Sequence, residues 1–407
     1  MSTLPRIKDG IFNRMLSGMA SPILDDAYAP EFTGIISPGD VTLPGFITFA
    51  RASAATYRDQ SSVMQTEVSG TARREWSAPH GMHGYKIEGA RTNKCTNYAN
   101  PTDLTNVTKG GDAAATLTVV DDSAALAAVG LDQVVSTGKV YKIDNTLGVG
   151  NAWVDVSGQV GNTNEHVWSA HVRGSGSGQL RHAGNSTVAV AFTATSAYVR
   201  EVGVATPAVN TRLMVVNAAA GSVIYFTLCQ LEEGGFVSSE ILVEGSAATR
   251  AADAYSVPNL DTAQWYNAIQ GTILCDFALT GESTSLGQHI WNIHDGTGTN
   301  NMILLKQNGG DLSQAYVEGT GGSNGPDITG NDKHKTAFGY KSAENNFYQN
   351  GTEIGGTSFK AEVINETQTT LTLGNSPVGN RAFYGLIFNL TYFPRRLSNP
   401  DLIDLTA

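Results

Sequence analysis

From about residue 41 onward, apolar and polar residues alternate with a period of two, the spacing of side chains along a β-strand. Phe46 to Phe49 is one such run, and Tyr85-Lys86-Ile87-Glu88, closed by Gly89, is another. A turn-rich excursion carrying Arg73, Arg74 and Trp76 separates them. Residues 98–110 read as a linker or as the opening loop of the next unit. Residues 111–245 hold strands separated by turn signals at intervals of roughly 8–15 residues, the pattern of a β-sandwich. In His166 to Val172, Trp168, Ala170 and Val172 share a face with His166, and His171 falls on the other. Gly174 to Gly178 predicts a flexible hairpin loop. Val223 to Leu231 is nearly continuously apolar and predicts a strand buried on both faces. A second set of strands fills residues 253–407: Ile273, Cys275 and Phe277 share one face, and Leu386, Phe388, Leu390 and Tyr392 another. Asn350-Gly351 after Phe347-Tyr348 marks a hairpin turn, since both residues tolerate positive φ.

The N-terminus departs from this rhythm. Ile7, Ile11, Phe12, Met15, Leu16 and Met19 recur at steps of one to four and make one apolar helical face, which Pro22, Pro30 and Pro38 then interrupt. So short a helix needs a partner, either its own domain or another chain. The expected architecture is all-β: a helical or extended N-terminal attachment segment (1–40), a β-rich connecting region (41–97), and two β-sandwich domains (98–252 and 253–407).

Composition narrows the function. The formal charge of −11 argues against a general nucleic-acid binder, which needs a basic surface. Charged residues make up 15% of the 407, and 45 are Gly, which suits short strands joined by turns. No run approaches the roughly 20 apolar residues of a membrane span, and Ile11 to Met19 is too interrupted to be a signal-peptide core. Cys95, Cys229 and Cys275 are scattered and odd in number, which argues against a disulfide framework; Cys229 and Cys275 sit in apolar runs, as expected of reduced core thiols in a protein folded in a reducing cytosol.

No catalytic constellation stands out, so neither enzyme activity nor a cofactor or metal is expected. His80 and His83 lack a third ligand nearby. The loop His294-Asp295-Gly296-Thr297-Gly298 offers one carboxylate, too few for calcium. The pairs Asp121-Asp122 and Glu232-Glu233 point to opposite faces of their strands.

Three groups of residues carry a resemblance. They are Phe49-Ala50-Arg51-Ala52-Ser53-Ala54-Ala55-Thr56-Tyr57, then Ile87-Glu88-Gly89-Ala90-Arg91-Thr92-Asn93, and then Gln230-Leu231-Glu232 leading to Thr249-Arg250-Ala251-Ala252-Asp253. Together they resemble the recurring segments of bacteriophage fibre and spike proteins. The resemblance implies that residues 98–252 form a jelly roll like those of carbohydrate-binding modules. Ser239-Glu240-Ile241-Leu242 departs from the group's pattern at the exit of that domain. Asn346 to Gly351 and the closing Gly385 to Leu405 resemble a concanavalin-A-like, laminin-G-type sandwich.

What the resemblance implies is a fibre or spike subunit on the virion surface, made in the bacterial cytoplasm. It would join other virion proteins through residues 1–40, form homotrimers, and bind a host-surface glycan, without nucleic acid or membrane insertion. A decoration protein without receptor contact and a polysaccharide depolymerase are the alternatives. Glycan sites pair an aromatic face with polar groups. The candidates are Trp291 and Asp295, with Trp265 as a second platform and Arg381 and Tyr384 in the loop before the last strand. Glu88 and Arg91 are expected to form a structural ion pair tying the N-terminal strands to the next domain.

Overall fold

The computed structural model describes residues 33–36 and 42–407, apart from 158–160, 183–187, 209–213, 282–286, 298–300, 307–311, 318–322, 329–331, 356, 362 and 365. Among these the chain is almost entirely β, with a few short helical segments such as Ser123–Ala127 and Asn399–Thr406. The amphipathic pattern of residues 7–19 lies outside the described residues.

The first sandwich is two five-stranded antiparallel sheets. One runs Val199–Ala205, His166–Ser175, Val223–Glu233, Lys139–Asp144, Thr116–Asp121. The other runs Val188–Thr193, Ser177–His182, Met214–Ala218, Ala152–Asp155, Thr108–Gly111. Between them lies a core that includes Trp168, Phe226, Val154, Leu180, Cys229 and Val216. Val223–Glu233 is buried on both faces, as its composition predicts. Ile224, Phe226 and Leu231 face the sheet opposite. Leu228 packs outward under Leu126, Leu131 and Val135. A β-bulge makes this possible: the register with the neighbouring strand shifts opposite Ser169/His171, and Leu228 takes φ 48°.

Gly174–Gly178 is a corner, not a hairpin. His166–Ser175 belongs to one sheet and Ser177–His182 to the other. Gly174 and Gly176 take φ 138° and 85°, and a Cβ on either would strike the Ser222–Val223 segment.

The second sandwich draws on both ends of the sequence. Its eight-stranded sheet runs Thr352–Ile354, Asn346–Gln349, His334–Lys341, Gln270–Leu279, Gly385–Phe393, Met82–Ile87, Arg74–Ser77, with Thr33–Ile36 also paired to Gly385–Phe393. The seven-stranded sheet runs Thr48–Ala50, Ala254–Val257, Thr370–Leu373, Gln288–His294, Asn301–Lys306, Leu312–Val317, Ser323–Asp327. Ile36, Tyr85 and Ile87 are part of the core between these sheets. Much of the region expected to be a connector therefore completes the C-terminal sandwich. The described part of the expected attachment segment does the same, since Ile36 is fully buried.

The closing strand also breaks the simple alternation. A register shift opposite Asp276/Phe277 places Ile387, Leu390 and Tyr392 in the core. Leu386 and Phe388 instead pack on the outer face with Ala278 and Met82.

A chain of residues 253–407 alone lacks the strands that pair with Gly385–Ile387 and Ala254–Ser256. It should show a non-cooperative thermal transition and rapid proteolysis, whereas residues 33–407 should unfold cooperatively. A cooperative, protease-resistant 253–407 fragment would refute the shared-sandwich account.

Candidate functional site

The segments that carry the sequence resemblance converge on one buried charge network. Glu88 Oε2 accepts from Arg73 Nη1 (2.7 Å), from Arg250 Nη1 and from Ser239 Oγ (2.6 Å), while Oε1 accepts from Ser239 N (2.9 Å). Asp253 Oδ1 accepts from Arg51 Nη1 (2.9 Å), and Oδ2 from Arg73 Nη2 and from Glu88 N (3.0 Å). Backbone carbonyls take further donors: Ser53 and Val68 from Arg51, Thr56 from Arg73, and Gly89 from Arg250. All five charged side chains are buried. Burial opposes the charge on Glu88, but Arg250 and Arg73 outweigh it and hold the carboxyl well below its usual range.

Glu88 is thus the structural ion-pair residue expected, but Arg91 is not its partner. Three residues along an extended chain span roughly 10 Å, so the pairing that a helix would permit fails here. Arg91 donates to the Glu233 carbonyl instead and lies over the rings of Phe236 (4.4 Å) and Tyr384 (5.4 Å).

The five expected glycan contacts disperse. Trp291 is a core residue, 1% exposed and packed against Phe338, so it offers no platform: its strand is covered on both faces. Trp265 is half-buried against Phe46, Tyr266 and Tyr392. Asp295 closes its own turn, accepting from Thr297 N (2.8 Å) and Oγ1 (2.5 Å). Arg381 lies near His289, whose pKa is pushed down to about 3 by burial and then by the Arg381 charge. Tyr384 is largely buried, edge-on to Phe236 at 4.6 Å, and lines a cleft of about 600 Å³ with Arg91, Lys94 and Glu233. His80 and His83 turn to different partners, Phe388 and Trp76.

A second recess, of about 320 Å³, opens on the outer face of the first sandwich, on the sheet that carries Ser177–His182 and Ala152–Asp155. Ala152, Val154, Leu180, Val216 and Ala218 point to the core. Their neighbours Asn151, Trp153, Asp155, Ser177, Gln179, Arg181 and Asn217 therefore point outward. Pairing places Trp153, Asn217, Gln179 and Ala191 in one row across the sheet, and Asp155, Val215 and Arg181 in the next. Asn151, Ser177, Gln179, Thr193 and Asn217 line the recess. Trp153 sits beside it, its ring laid over Gly110, where a Cβ would collide. Asn217 Nδ2, Asp155 Oδ1 and Arg181 Nε are buried without hydrogen-bond partners. Burial alone raises the Asp155 pKa. Amides and hydroxyls beside an indole are the chemistry that receives sugar hydroxyls and a pyranose face. The sequence signal for this dish was partial: Ser177, Gln179 and Arg181 alternate with Gly178 and Leu180, whereas Asn151 and Asp155 flank the apolar run Ala152-Trp153-Val154.

Residues 280–402 match the family model of the concanavalin A-like lectin/glucanases superfamily, of laminin-G type. The C-terminal sandwich has that fold. No curated protein matches the chain. Among solved structures, the chain is similar to the Ruminococcus gnavus IT-sialidase CBM40 bound to α2,3 sialyllactose, with 18% identity, a TM-score of 0.29, and coverage of 35% of this chain and 84% of that one. It is also similar to domain 4 of AbnA, a GH43 extracellular arabinanase from Geobacillus stearothermophilus in complex with arabinotriose, with 16% identity, a TM-score of 0.32, and coverage of 42% and 82%. A mutant Trypanosoma rangeli sialidase shows 11% identity, a TM-score of 0.30, and coverage of 38% and 26%.

Two stability outcomes follow. Arg73→Ala takes a buried charged donor from both Glu88 and Asp253, leaving them only Arg250 and Arg51, and should cost about 3 kcal/mol in denaturant titration. Arg91→Ala should cost about 1 kcal/mol, because it strands no carboxylate; equal losses would show that the network is not the lock. The second outcome concerns pH. His171, His289, His294 and His334 all have pKa values lowered, in each case chiefly by burial. Unfolded imidazoles titrate near 6.5, so below that pH the unfolded state binds more protons. Stability is therefore complete above about pH 6.5 and falls as the pH drops. His289 contributes about 1.4 kcal/mol per pH unit down to about pH 3. Thermal midpoints measured from pH 8 to 4 should show this decline, with a shallower slope in His289→Gln; an unchanged slope would show that His289 is protonated in the folded state.

Proposed function

We propose that this chain is a non-enzymatic glycan-binding protein, and that it serves as a fibre or spike subunit on the outside of a bacteriophage, adsorbing to a host-surface polysaccharide. The observation that carries the glycan reading is the dish of Asn151, Ser177, Gln179, Thr193 and Asn217 beside Trp153. The lectin-type fold of residues 280–402 supports it. Binding without cleavage is favoured because glycoside hydrolysis uses two facing carboxyl groups. Near the dish, the outward rows carry Asp155, and the carboxylate of Asp112, beside Asn151, is taken up by the backbone N–H groups of Ala114, Val149 and Gly150.

The virion assignment rests on the recurring segments around Arg51, Glu88 and Arg250. Their side chains meet in one network, as a shared architectural device would require. In this proposal residues 1–32 reach the other virion proteins, and three copies on one fibre raise weak single-site affinity by roughly 10²-fold or more.

The test is binding of the purified full-length protein to immobilised neutral bacterial surface polysaccharides, with Trp153→Ala and Gln179→Ala beside the parent. Each variant should keep its thermal midpoint and bind on the order of tenfold more weakly, about 1.4 kcal/mol. A folded Trp153→Ala that binds like the parent removes the dish from the site. Shortening of the polysaccharide would replace binding with hydrolysis. Antibodies to the chain should label the exterior of phage particles, and absence of label would end the virion assignment.

A further inference from the structure

The larger recess is the cleft that Tyr384 lines together with the segment leaving Val223–Glu233 and the ribbon Arg91–Asn93/Ala248–Arg250. Its volume, about 600 Å³, suits a saccharide unit. Arg91 is its distinctive group. Arg51, Arg73 and Arg250 each pair with a carboxylate. The Arg91 guanidinium instead donates to a backbone carbonyl, and its Nε is buried without an acceptor. Phe236 and Tyr384 hold it by their rings at 4.4 and 5.4 Å. Gly234, at φ 124°, lets the backbone approach it, because a Cβ there would strike the guanidinium. The cation is therefore fixed in plane by contacts that do not neutralise it.

The acids near this wall do not supply the missing partner. The Glu233 carboxylate accepts from Asn162 Nδ2 (2.8 Å) and Asn164 Nδ2 (2.5 Å) and lies 3.9 Å from Lys94 Nζ. Those hydrogen bonds hold it ionised and occupied. Glu165 lies beside Gly235 and is exposed. Thr92 and Thr249 present paired hydroxyls, with their oxygens 2.8 Å apart.

A planar guanidinium without a carboxylate partner, beside an ammonium and two hydroxyls, is complementary to a carboxylate on a hydroxylated ring. We propose that this cleft is a second saccharide site, separate from the dish, and that it takes an acidic sugar residue whose carboxylate meets Arg91. Lys94 adds attraction, and Thr92 and Thr249 receive ring hydroxyls. The inference rests on the reading of this chain as a glycan binder and adds the charge class of one sugar in its ligand. A neutral sugar in the same place would leave the guanidinium unpaired, so the cleft discriminates by charge.

The test uses the full-length protein and three acidic probes: oligogalacturonate, oligoglucuronate and a sialylated trisaccharide. Each is titrated beside its own carboxyl-reduced form by calorimetry at two salt concentrations. At least one acid should bind on the order of tenfold or more tightly than its reduced form. Arg91→Gln should abolish that difference. Arg91→Lys, which keeps the charge and loses the fork, should retain part of it. Lys94→Gln should weaken acid binding roughly threefold and flatten its salt dependence. Thermal midpoints establish that each variant is folded, and if Arg91→Gln is not, Arg91→Lys and Lys94→Gln carry the comparison. Equal binding of acid and reduced forms overturns the proposal. So does acid binding unchanged in a folded Arg91 variant, and so does failure of all three acids to bind. The dish is scored on neutral polysaccharides and the cleft on the difference between acid and reduced forms, so either can fail without the other.

Discussion

Five buried charges hold this molecule together. Arg51, Arg73 and Arg250 surround Glu88 and Asp253, and the five come from four separate stretches of chain, Arg250 and Asp253 sharing one. None of the five has water to fall back on, so each is tolerated because the others are in place. The requirement is geometric as well as electrostatic. The strands near residues 50 and 87, the exit of the first sandwich at Ser239 and the entry to the second at Asp253 must all arrive together. Ser239 belongs to the short stretch that departs from the fibre-protein pattern, and its neighbour Glu240 makes a second buried contact, to His171 and Arg200. The altered exit is thus anchored twice.

This constraint explains why the second sandwich is not a self-contained C-terminal module. Thr33–Ile36 pairs with Leu390–Tyr392, Thr48–Ala50 with Ala254–Ser256, and Tyr85–Ile87 with Gly385–Ile387. The first sandwich is therefore inserted between the strands of the second, and the two meet at the buried charge network. Pairings between such distant residues raise contact order and slow folding. What is gained is a cleft whose walls come from both sandwiches and from the ribbon between them.

The two recesses illustrate different ways of presenting polar chemistry on a β framework. The dish uses the outward rows of one sheet, so its spacing is that of the strands, and its amides and hydroxyls come at strand intervals. The cleft uses loops and ring contacts: Phe236 and Tyr384 immobilise a guanidinium that the network below has left out.

Much of the architecture was legible in the sequence because strand alternation is a local property. The all-β class, the two sandwiches, the doubly buried strand over Val223 to Leu231 and the core position of Cys229 and Cys275 follow from neighbouring residues and from composition. Glu88 was recognisable as one half of a structural ion pair because a charged partner lay three residues away in a charge-poor sequence. Its partners were not, because Arg73, Arg250 and Asp253 reach it through space, and the nearby Arg91 cannot span the extended chain to it. Trp291 looked like a platform because alternation places it on a face without saying whether that face is covered, and here it is. The parity of Leu386 to Tyr392 failed for a related reason: a bulge set by the neighbouring strand reverses which residues face the core. The strands assign residues to faces, but only the packing of sheet on sheet decides which faces meet solvent, and only distant pairing decides which charges meet each other.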